Sequence, residues 1–403
     1  MSDICFAWEL GQNYGHLSRI MPLVRRLREK GHGSHLVLKD LSRLHRVAGE
    51  APPRSFQAPI WLPKLLHLPP PQSYADLLLA VGYGDVSGLR SLVSAWLALL
   101  DLNHSTLVVA DHSPTALLAA RIRGLPSVTM GSGFVSPPLS ASLPASCWWL
   151  DEDEERLRTT ERDVLDNVNN VLESFSAKPL HRLSDLFDVD EIFLRTFAEL
   201  DHYPQRALQQ ARAPDYLGPT MMLDQGKVPE WPQAPGPRIF AYLNADWPGL
   251  ADMLDTFRSL PICVLAHVPA LTAAQAASYS AGNVRVTSEL QQIETVRRQC
   301  DFAVCHGGAA TVSAMLTAGR PLLLAPTHPE QVITCRNVET MKAGLALRDD
   351  KDRYPTKKLL EYLLQEPGFT REAQAFAERY KDYSQDAAND HIVERCRALL
   401  YRA

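Results

Sequence analysis

The sequence predicts an α/β protein made of two Rossmann-like domains, whose doubly wound parallel sheets face a cleft. Three observations support this fold class: the chain is long, strand and helix patterns alternate along it, and a proline-rich segment interrupts the alternation once. At 403 residues, two domains are expected, because single cores stop growing beyond roughly 250–300 residues.

The first forty residues predict a βαβ unit. Residues 4–8 form an apolar run typical of a buried strand. The helix that follows has an apolar face made of Ile20, Leu23, Val24 and Leu27. It ends at Gly31, and residues 35–39 form a second apolar run. A crossover of this kind places the two strands parallel to each other in one sheet.

The same alternation recurs over residues 106–130 and starts again after a segment in which prolines exclude both helix and central strand. The predicted units are an N-terminal domain over 1–212, a linker over 213–236 and a C-terminal domain over 237–385. Residues 386–403 predict a final helix that packs back on the N-terminal domain.

Composition favours a small ligand as the partner. The formal charge is −5 and basic residues are not clustered, which argues against nucleic acid and anionic membranes. The seven cysteines include no CxxC pair, so neither a disulfide framework nor a zinc site is indicated. No secretory signal is visible, and no apolar run approaches the roughly 18 residues of a membrane-spanning helix. We therefore expect a cytoplasmic protein without an integral membrane segment.

A glycine pair interrupts the stretch "CHGGAATVSAMLTAGRPLLLAP", residues 305–326. A strand over 302–305 leads to His306, and Gly307 and Gly308 permit a tight turn into a helix over 309–318. The unpaired N–H groups of a helix start attract anions, and diphosphate is the natural candidate. The alternative is a tight turn that binds nothing.

Glu330 and Gln331 follow the next strand, at an edge where open α/β sheets bind ligands. The combined pattern consists of His306-Gly307-Gly308, Thr311, Gly319-Arg320-Pro321, the apolar "LLLAP" and Glu330-Gln331. It resembles the donor-binding signature of nucleotide-sugar-dependent glycosyltransferases of the GT-B fold, especially the UDP-glycosyltransferase-like family.

The resemblance implies that the domain over 1–212 binds the acceptor and that the domain over 237–385 binds the nucleotide sugar. It also implies a role for each matching residue. His306 and the amides around Ala310 and Thr311 would hold the diphosphate of the donor. Glu330 and Gln331 would hydrogen-bond the hydroxyl groups of the sugar. The alternative for this last pair is a solvated turn.

The N-terminal half resembles the family more loosely. In "YGHLSR", the Gly-His turn after the first strand is similar to the turn that carries the catalytic base, which implies this role for His16. The family commonly has proline three residues later, where this chain has Arg19. Asp111, at the end of "LVVAD", is similar to the aspartate that orients the base. The alternatives are a packing or capping role for His16 and helix capping by Asp111.

The acceptor is predicted to lie under the loop 131–149, where Phe134, Trp148 and Trp149 are available to stack on it. GT-B enzymes require no bound divalent metal. Two Asp-x-Asp triplets, at 151–153 and 188–190, do not end apolar strands and are interpreted as solvated helix faces. We therefore predict no metal site and no cofactor, since the nucleotide sugar is a co-substrate.

The predicted activity is inverting transfer of a sugar from a nucleoside-diphosphate donor to an acceptor hydroxyl or other nucleophile. A non-hydrolysing nucleotide-sugar epimerase and a catalytically silent GT-B helper protein are the alternatives. Many UDP-sugar members have a ribose-binding glutamate eight residues after the motif histidine, where this chain has Ala314. A dTDP-sugar is therefore a candidate donor beside a UDP-sugar, and Ser313 or Thr317 is available as a substitute ribose ligand.

Overall fold

The structure is a computed structural model that divides into two compact units. It describes residues 3–11, 15–42, 44–45, 52–63, 70–150, 153–209, 215–221, 223–347 and 355–401. Unit 1 comprises Met1–Thr220 together with Ser384–Ala403, and unit 2 comprises Met221–Tyr383. The division between Thr220 and Met221 falls inside the predicted linker, whose residues 213, 214 and 222 lie outside the described residues.

Unit 1 contains a sheet of seven parallel strands in the order β3-β2-β1-β4-β5-β6-β7. The strands are β1 (Asp3–Trp8), β2 (Gly33–Leu38), β3 (Arg54–Gln57), β4 (Ser105–Ala110), β5 (Ser127–Gly131), β6 (Glu191–Leu194) and β7 (Asp215–Tyr216). Because all pairs are parallel, the carboxyl ends of the strands meet at one edge of the sheet.

Unit 2 contains a sheet of six parallel strands in the order β10-β9-β8-β11-β12-β13. The strands are β8 (Arg238–Tyr242), β9 (Cys263–His267), β10 (Val284–Thr287), β11 (Phe302–Cys305), β12 (Leu322–Leu324) and β13 (Gly344–Ala346). The ends of β11 and β12 are adjacent at its carboxyl edge.

Helices alternate with these strands. In unit 1 they are α1 (Gly15–Glu29), α2 (Tyr74–Leu78), α3 (Val86–Leu102), α4 (Pro114–Arg123), α5 (Glu154–Ser174) and α6 (Arg206–Gln209). In unit 2 they are α7 (Leu250–Arg258), α8 (Ala273–Tyr279), α9 (Ile293–Gln299), α10 (Ala309–Leu316), α11 (Pro329–Thr340), α12 (Thr356–Gln365) and α13 (Pro367–Arg379). The last helix, α14 (Gln385–Leu400), belongs to unit 1. Among the described residues, no helix is both long and apolar enough to cross a membrane.

The apolar face predicted for α1 is buried. It packs in one cluster with residues of β1, β2 and β4 and with Ile392, Val393 and Cys396 of α14. Ion pairs add to the contact between the two helices, since Arg26 binds Asp386 and Asp390. Helix α14 therefore helps to stabilise α1, the strands packed against it and the carboxyl edge of the sheet beside α1.

Candidate active site

The carboxyl edge of the unit 1 sheet brings His16 and Asp111 together. His16 lies in the first turn of α1, directly after β1, and Asp111 follows β4, the neighbour of β1. The backbone N–H of Asp111 donates to the Ala7 carbonyl at 2.8 Å, which fixes the end of β4 against β1. His16 Nδ1 is 3.0 Å from Asp111 Oδ1, and the carboxylate is fully buried. The structure thus joins the two residues that the resemblance implied as base and orienting acid.

Arg19 is a third member of this cluster. One turn along α1, its guanidinium makes a two-pronged contact with Asp111, Nε to Oδ2 and Nη2 to Oδ1, both at 3.0 Å. Burial opposes ionisation of Asp111, but the charges and hydrogen bonds of Arg19 and His16 outweigh burial and hold the pKa of the carboxyl well below its usual range. Asp111 is therefore a fixed negative charge at any working pH.

Two groups contact Nδ1 of His16. Arg19 Nη2 is also 3.0 Å from His16 Nδ1, so Nδ1 has both a donor and a carboxylate oxygen beside it. A protonated Nδ1 donates to Asp111 Oδ1, and an unprotonated Nδ1 accepts from Arg19 Nη2. In the tautomer that carries its proton on Nδ1, Nε2 holds the lone pair that a general base needs.

Gly11 places no side chain against Nε2 of His16. Its φ of +81° is strained for an L side chain, and a Cβ built on it would lie 2.8 Å from His16 Nε2. A residue with a side chain at position 11 would thus occupy the space next to the basic nitrogen. Residues 12–14 of the predicted turn lie outside the described residues.

Aromatic rings surround the histidine. Trp8 stacks on His16 with ring centroids 4.7 Å apart, and His112 lies 6.4 Å away on a centroid basis. His112 has a φ of +54°, a conformation uncommon for any residue except glycine. Burial, followed by the charge of His16, lowers the pKa of His112 to about 3, so this imidazole stays neutral. Its Nε2 is buried without a hydrogen-bond partner among the described residues.

Two residues at this edge of the sheet, His112 and Glu9, were not predicted from the sequence. His112 directly follows Asp111, and Glu9 directly follows β1, so their positions after strand ends were the available signal. Glu9 is buried and accepts hydrogen bonds from Ser113 Oγ at 3.0 Å and from Thr115 N and Oγ1 at 3.1 and 2.7 Å. Burial raises the pKa of Glu9 to about 7 despite these bonds. Glu9 therefore caps the start of α4 from a neighbouring strand.

The predicted acceptor aromatics separate into two places. Phe134, in a short turn after β5, packs edge-on against His112 at a centroid distance of 6.3 Å. Trp148 and Trp149 pack edge-to-face against each other at 4.9 Å, and Trp148 is exposed. Phe134 thus contacts one of the rings next to His16, whereas Trp148 and Trp149 contact each other.

In unit 2, the predicted anion site is formed by the start of α10. Gly308 is the N-cap, with no side chain capping the helix, and the first intrahelical bond runs from Val312 N to the Gly308 carbonyl. The N–H groups of residues 309–311 consequently have no intrahelical partner. No atom would contact a Cβ at Gly308 within 4 Å, so the space in front of the helix is open in this unit.

The His306 ring is held within the protein. Its Nδ1 is 2.7 Å from the Ala325 carbonyl and must donate to it, while its Nε2 accepts from Asn244 N–H at 2.8 Å. Burial lowers the pKa of His306, which keeps this neutral form. In this arrangement the ring has no donor left for a diphosphate oxygen. Both nitrogens position the loops after β8 and β12. That His306 helps to hold the diphosphate stays a prediction.

Glu330 and Gln331 lie in the first turn of α11, next to the glycine pair. A Cβ on Gly307, whose φ is +89°, would lie 3.1 Å from the Gln331 carbonyl oxygen. Glycine thus lets the two parts of the motif approach each other. The Gln331 side-chain oxygen accepts from Thr327 N and Oγ1 at 2.8 and 3.0 Å, which leaves its amide NH₂ as the donor group of this side chain.

No group of three or more metal-ligating side chains occurs among the described residues. The triplet 188–190 does not lie on a helix face, as the sequence suggested, but in the connection before β6, where Asp190 accepts from Ser127 N at 2.9 Å. Residues 151 and 152 of the other triplet lie outside the described residues.

Solved glycosyltransferase structures share this two-sheet architecture over the whole chain. CalG4, the calicheamicin glycosyltransferase, superposes with a TM-score of 0.69 at 18% identity, covering 100% of this chain and 98% of that one. VinC, a glycosyltransferase solved with dTDP, gives 0.67 at 15% identity, with 100% of both chains covered. The chain has the GT-B glycosyltransferase fold. The predicted fold class is confirmed, and so is the resemblance to glycosyltransferases.

Sequence relatives of this GT-B chain are glycosyltransferases as well. The PGL/p-HBAD biosynthesis rhamnosyltransferase of Mycobacterium bovis is 24% identical over 304 residues, which cover 71% of this chain. The match spans 66% of that relative, just under two thirds of its length. The elloramycin glycosyltransferase ElmGT of Streptomyces olivaceus is 34% identical over 89 residues, 22% of each chain. No protein-family model matches the chain.

Proposed function

We propose that the protein is an inverting glycosyltransferase that moves a sugar from a nucleoside-diphosphate donor to an acceptor hydroxyl or other nucleophile. The observation that carries this proposal is the contact of the buried Asp111 with Nδ1 of His16, together with a glycine at position 11, which places no side chain against Nε2. His16 Nε2 takes the proton of the acceptor as its oxygen attacks the anomeric carbon. Asp111 keeps the ring in the reactive tautomer. Direct displacement inverts the configuration of that carbon.

Unit 2 supplies the donor site in this proposal. The N–H groups of Ala310 and Thr311, at the positive end of α10, bind the diphosphate and stabilise the charge that grows on it as it leaves. Glu330 and the free amide of Gln331 bind the sugar hydroxyls. The transfer needs no metal and no cofactor.

The donor nucleoside is proposed to be deoxythymidine. Ala314 is buried in α10 and offers no acceptor to a ribose 2′-hydroxyl. Ser313 Oγ is buried without a partner among the described residues, whereas the Thr317 hydroxyl already donates to the Ser313 carbonyl at 2.7 Å. VinC and the spinosyn rhamnosyltransferase SpnG were both solved with thymidine diphosphate, which supports the same choice.

Calorimetric titration of dTDP and UDP into the parent protein and Ala314→Glu tests the nucleoside. The parent should bind dTDP at least as tightly as UDP, and Ala314→Glu should shift the preference toward UDP. Ser313→Ala tests the neighbouring hydroxyl: it should weaken UDP more than dTDP only if Ser313 Oγ binds the ribose 2′-hydroxyl. A parent that prefers UDP about tenfold, or about 1.4 kcal/mol, contradicts this part of the proposal.

The activity itself is tested with labelled dTDP- and UDP-hexoses and a panel of hydroxylated acceptors. A donor that binds should raise the melting temperature, as mass action requires. Transfer should give a product of inverted anomeric configuration, read by proton NMR, and EDTA should leave the rate unchanged. Conversion of the donor sugar without acceptor would instead identify an epimerase. Absence of any melting shift and of any transfer would reject the proposal.

A further inference from the structure

His112 lies beside His16 at the carboxyl edge of the unit 1 sheet, and its backbone is held in an uncommon conformation. Its φ is +54°, and its carbonyl accepts hydrogen bonds from the N–H groups of Glu9 and Leu10 at 3.4 and 3.0 Å. A strained residue persists only where its surroundings fix it, and such residues cluster at functional sites. The loop after β1 thus fixes the place of the His112 ring.

The rings of His112 and His16 face the same space in front of Gly11. A Cβ built on Gly11 would lie 3.3 Å from Nδ1 of His112 and 2.8 Å from Nε2 of His16. Two nitrogens on separate rings therefore converge on the place where residue 11 has no side chain. An oxygen atom that enters this space is in a position to form hydrogen bonds with both imidazoles.

The other nitrogen of His112 is buried. Its Nε2 has no hydrogen-bond partner among the described residues, and the rings of Tyr74 and Phe134 pack against the imidazole with centroids 6.1 and 6.3 Å away. Because burial lowers the pKa of His112 to about 3, the ring is neutral and carries a single proton. Unpaired donors are rarer in protein interiors than unpaired acceptors, so we expect this proton on Nδ1, the nitrogen that faces Gly11.

We propose that His112 is an acceptor-binding residue that selects oxygen nucleophiles over nitrogen nucleophiles. This inference rests on the proposed function. The acceptor hydroxyl donates its proton to His16 Nε2 and accepts a hydrogen bond from His112 Nδ1–H on one of its two lone pairs. The other lone pair is left to attack the anomeric carbon. A neutral amine has a single lone pair, so its nitrogen cannot accept from His112 and attack at the same time.

The hydrogen bond from His112 persists through the transfer step. The attacking lone pair forms the new C–O bond, the bond between the anomeric carbon and the diphosphate oxygen breaks, and its electron pair leaves with the diphosphate. The acceptor proton moves to His16 Nε2, while His112 keeps its own. As the O–H bond breaks, negative charge grows on the oxygen and the hydrogen bond from Nδ1 strengthens. His112 thus favours the transition state as well as binding.

The first test compares 4-methylphenol with 4-methylaniline, which differ in the reacting group and are both uncharged at neutral pH. His112→Leu removes the donor, whereas His112→Asn keeps an amide donor and tolerates the positive φ. The parent should prefer the phenol. In His112→Leu, kcat/KM for the phenol should fall about tenfold or more relative to that for the aniline, because only the oxygen uses the hydrogen bond. His112→Asn should restore part of this loss. A role in folding alone would lower both rates equally.

A second measurement does not depend on transfer. In protein labelled with ¹⁵N at its histidines, the ring signals of His112, assigned by their absence from His112→Asn, report which nitrogen carries the proton. The proton should lie on Nδ1, and 4-methylphenol should shift that signal whereas toluene should not. If this holds but no donor and acceptor react, the proposed function fails and the binding role of His112 stands. A proton on Nε2, a signal that 4-methylphenol leaves unchanged, a parent that prefers the aniline, or equal losses for both acceptors in His112→Leu would overturn the inference.

Discussion

The sheet of unit 1 has a histidine, an aspartate and an arginine bound together at each of its two edges. The carboxyl-edge set consists of His16, Asp111 and Arg19, and the amino-edge set of His35, Asp3 and Arg54. At the amino edge, His35 Nδ1 is 2.6 Å from Asp3 Oδ1, and Arg54 donates to Asp3 Oδ2 at 2.9 Å. The two sets therefore repeat the same chemistry in the same sheet.

They differ in which member is accessible and in what lies beside Nε2. At the carboxyl edge the aspartate side chain is fully buried and the histidine is 9% exposed, whereas at the amino edge the histidine is fully buried and the aspartate is 20% exposed. Gly11 places no side chain against Nε2 of His16, while Ser105 Oγ lies 3.4 Å from Nε2 of His35. The two sets therefore differ in the neighbour of Nε2 more than in the histidine–aspartate pair itself, and this difference distinguishes the histidine proposed as the base from the one proposed as structural.

Replacing each histidine with glutamine should give the largest contrast. His16→Gln should lower the rate of transfer by roughly 10²–10⁴-fold, because the general base is lost, with little change in melting temperature. His35→Gln should leave the rate near that of the parent and destabilise the fold by about 1–3 kcal/mol, since it disturbs a buried hydrogen-bonded group. Rates and urea unfolding of both variants decide this. Near-normal turnover of His16→Gln would refute its role as base.

Substitution of the two aspartates should show the same contrast between loss of activity and loss of stability. Asp111→Asn keeps the shape but loses the charge that selects the His16 tautomer, so the rate should fall by roughly 10²–10⁴-fold while nucleotide binding to unit 2 persists. Asp3→Asn should affect the free energy of unfolding alone. An Asp111→Asn variant as active as the parent would show that Asp111 only supports the loop after β4.

Two glycines with the same backbone angle test the space around Nε2. Gly11 and Gly31 both have a φ of +81°, but nothing lies within 4 Å of a Cβ at Gly31. Alanine should therefore cost both positions a similar strain of about 1–3 kcal/mol, while only Gly11→Ala should also slow transfer. Melting temperatures and kcat/KM give the comparison. Equal activity in the two variants would mean that Nε2 is approached from another side.

The smallest expected effect is on the pH dependence of stability. Burial lowers the pKa of His35 in the folded protein, although Asp3 opposes this. His35 therefore binds a proton more readily in the unfolded chain than in the folded protein. The stability that His35 contributes is full above the ordinary histidine pKa of about 6.5 and is lost as the pH falls below it. The difference in unfolding free energy between the parent and His35→Gln should shrink from about pH 7.5 to about pH 5. A constant difference would contradict this.

The sequence was sufficient for the fold because the apolar strands and amphipathic helices are local patterns. The resemblance to the family located His16, in the Gly-His turn after the first strand, and Asp111, which directly follows an apolar strand. These two strands are neighbours in the parallel sheet, so their carboxyl ends share an edge. Arg19 was visible only as a departure from the family pattern. Its pairing with Asp111 spans 92 positions and depends on how α1 packs beside β4, which local patterns do not specify.

The sequence did not predict the short strands β3, β6 and β13 or the hydrogen bonds of the His306 ring, for similar reasons. Each strand has only three or four residues, too few for a clear period, and is defined by its pairing partner. His306 was identified as a motif residue, but its two hydrogen bonds are made to backbone groups of separate loops. Backbone partners leave no signature in side-chain identity.

The position of α14 has a consequence for biosynthesis. Ile392, Val393, Cys396 and Leu399 complete a core that otherwise consists of unit 1 strands and α1. On the ribosome, the whole of unit 2 is synthesised before these side chains emerge. Until then, the apolar side chains of α1 that contact α14 remain exposed, and chaperones bind exposed apolar surface of this kind. Folding of unit 1 can therefore be completed only after unit 2 has been synthesised.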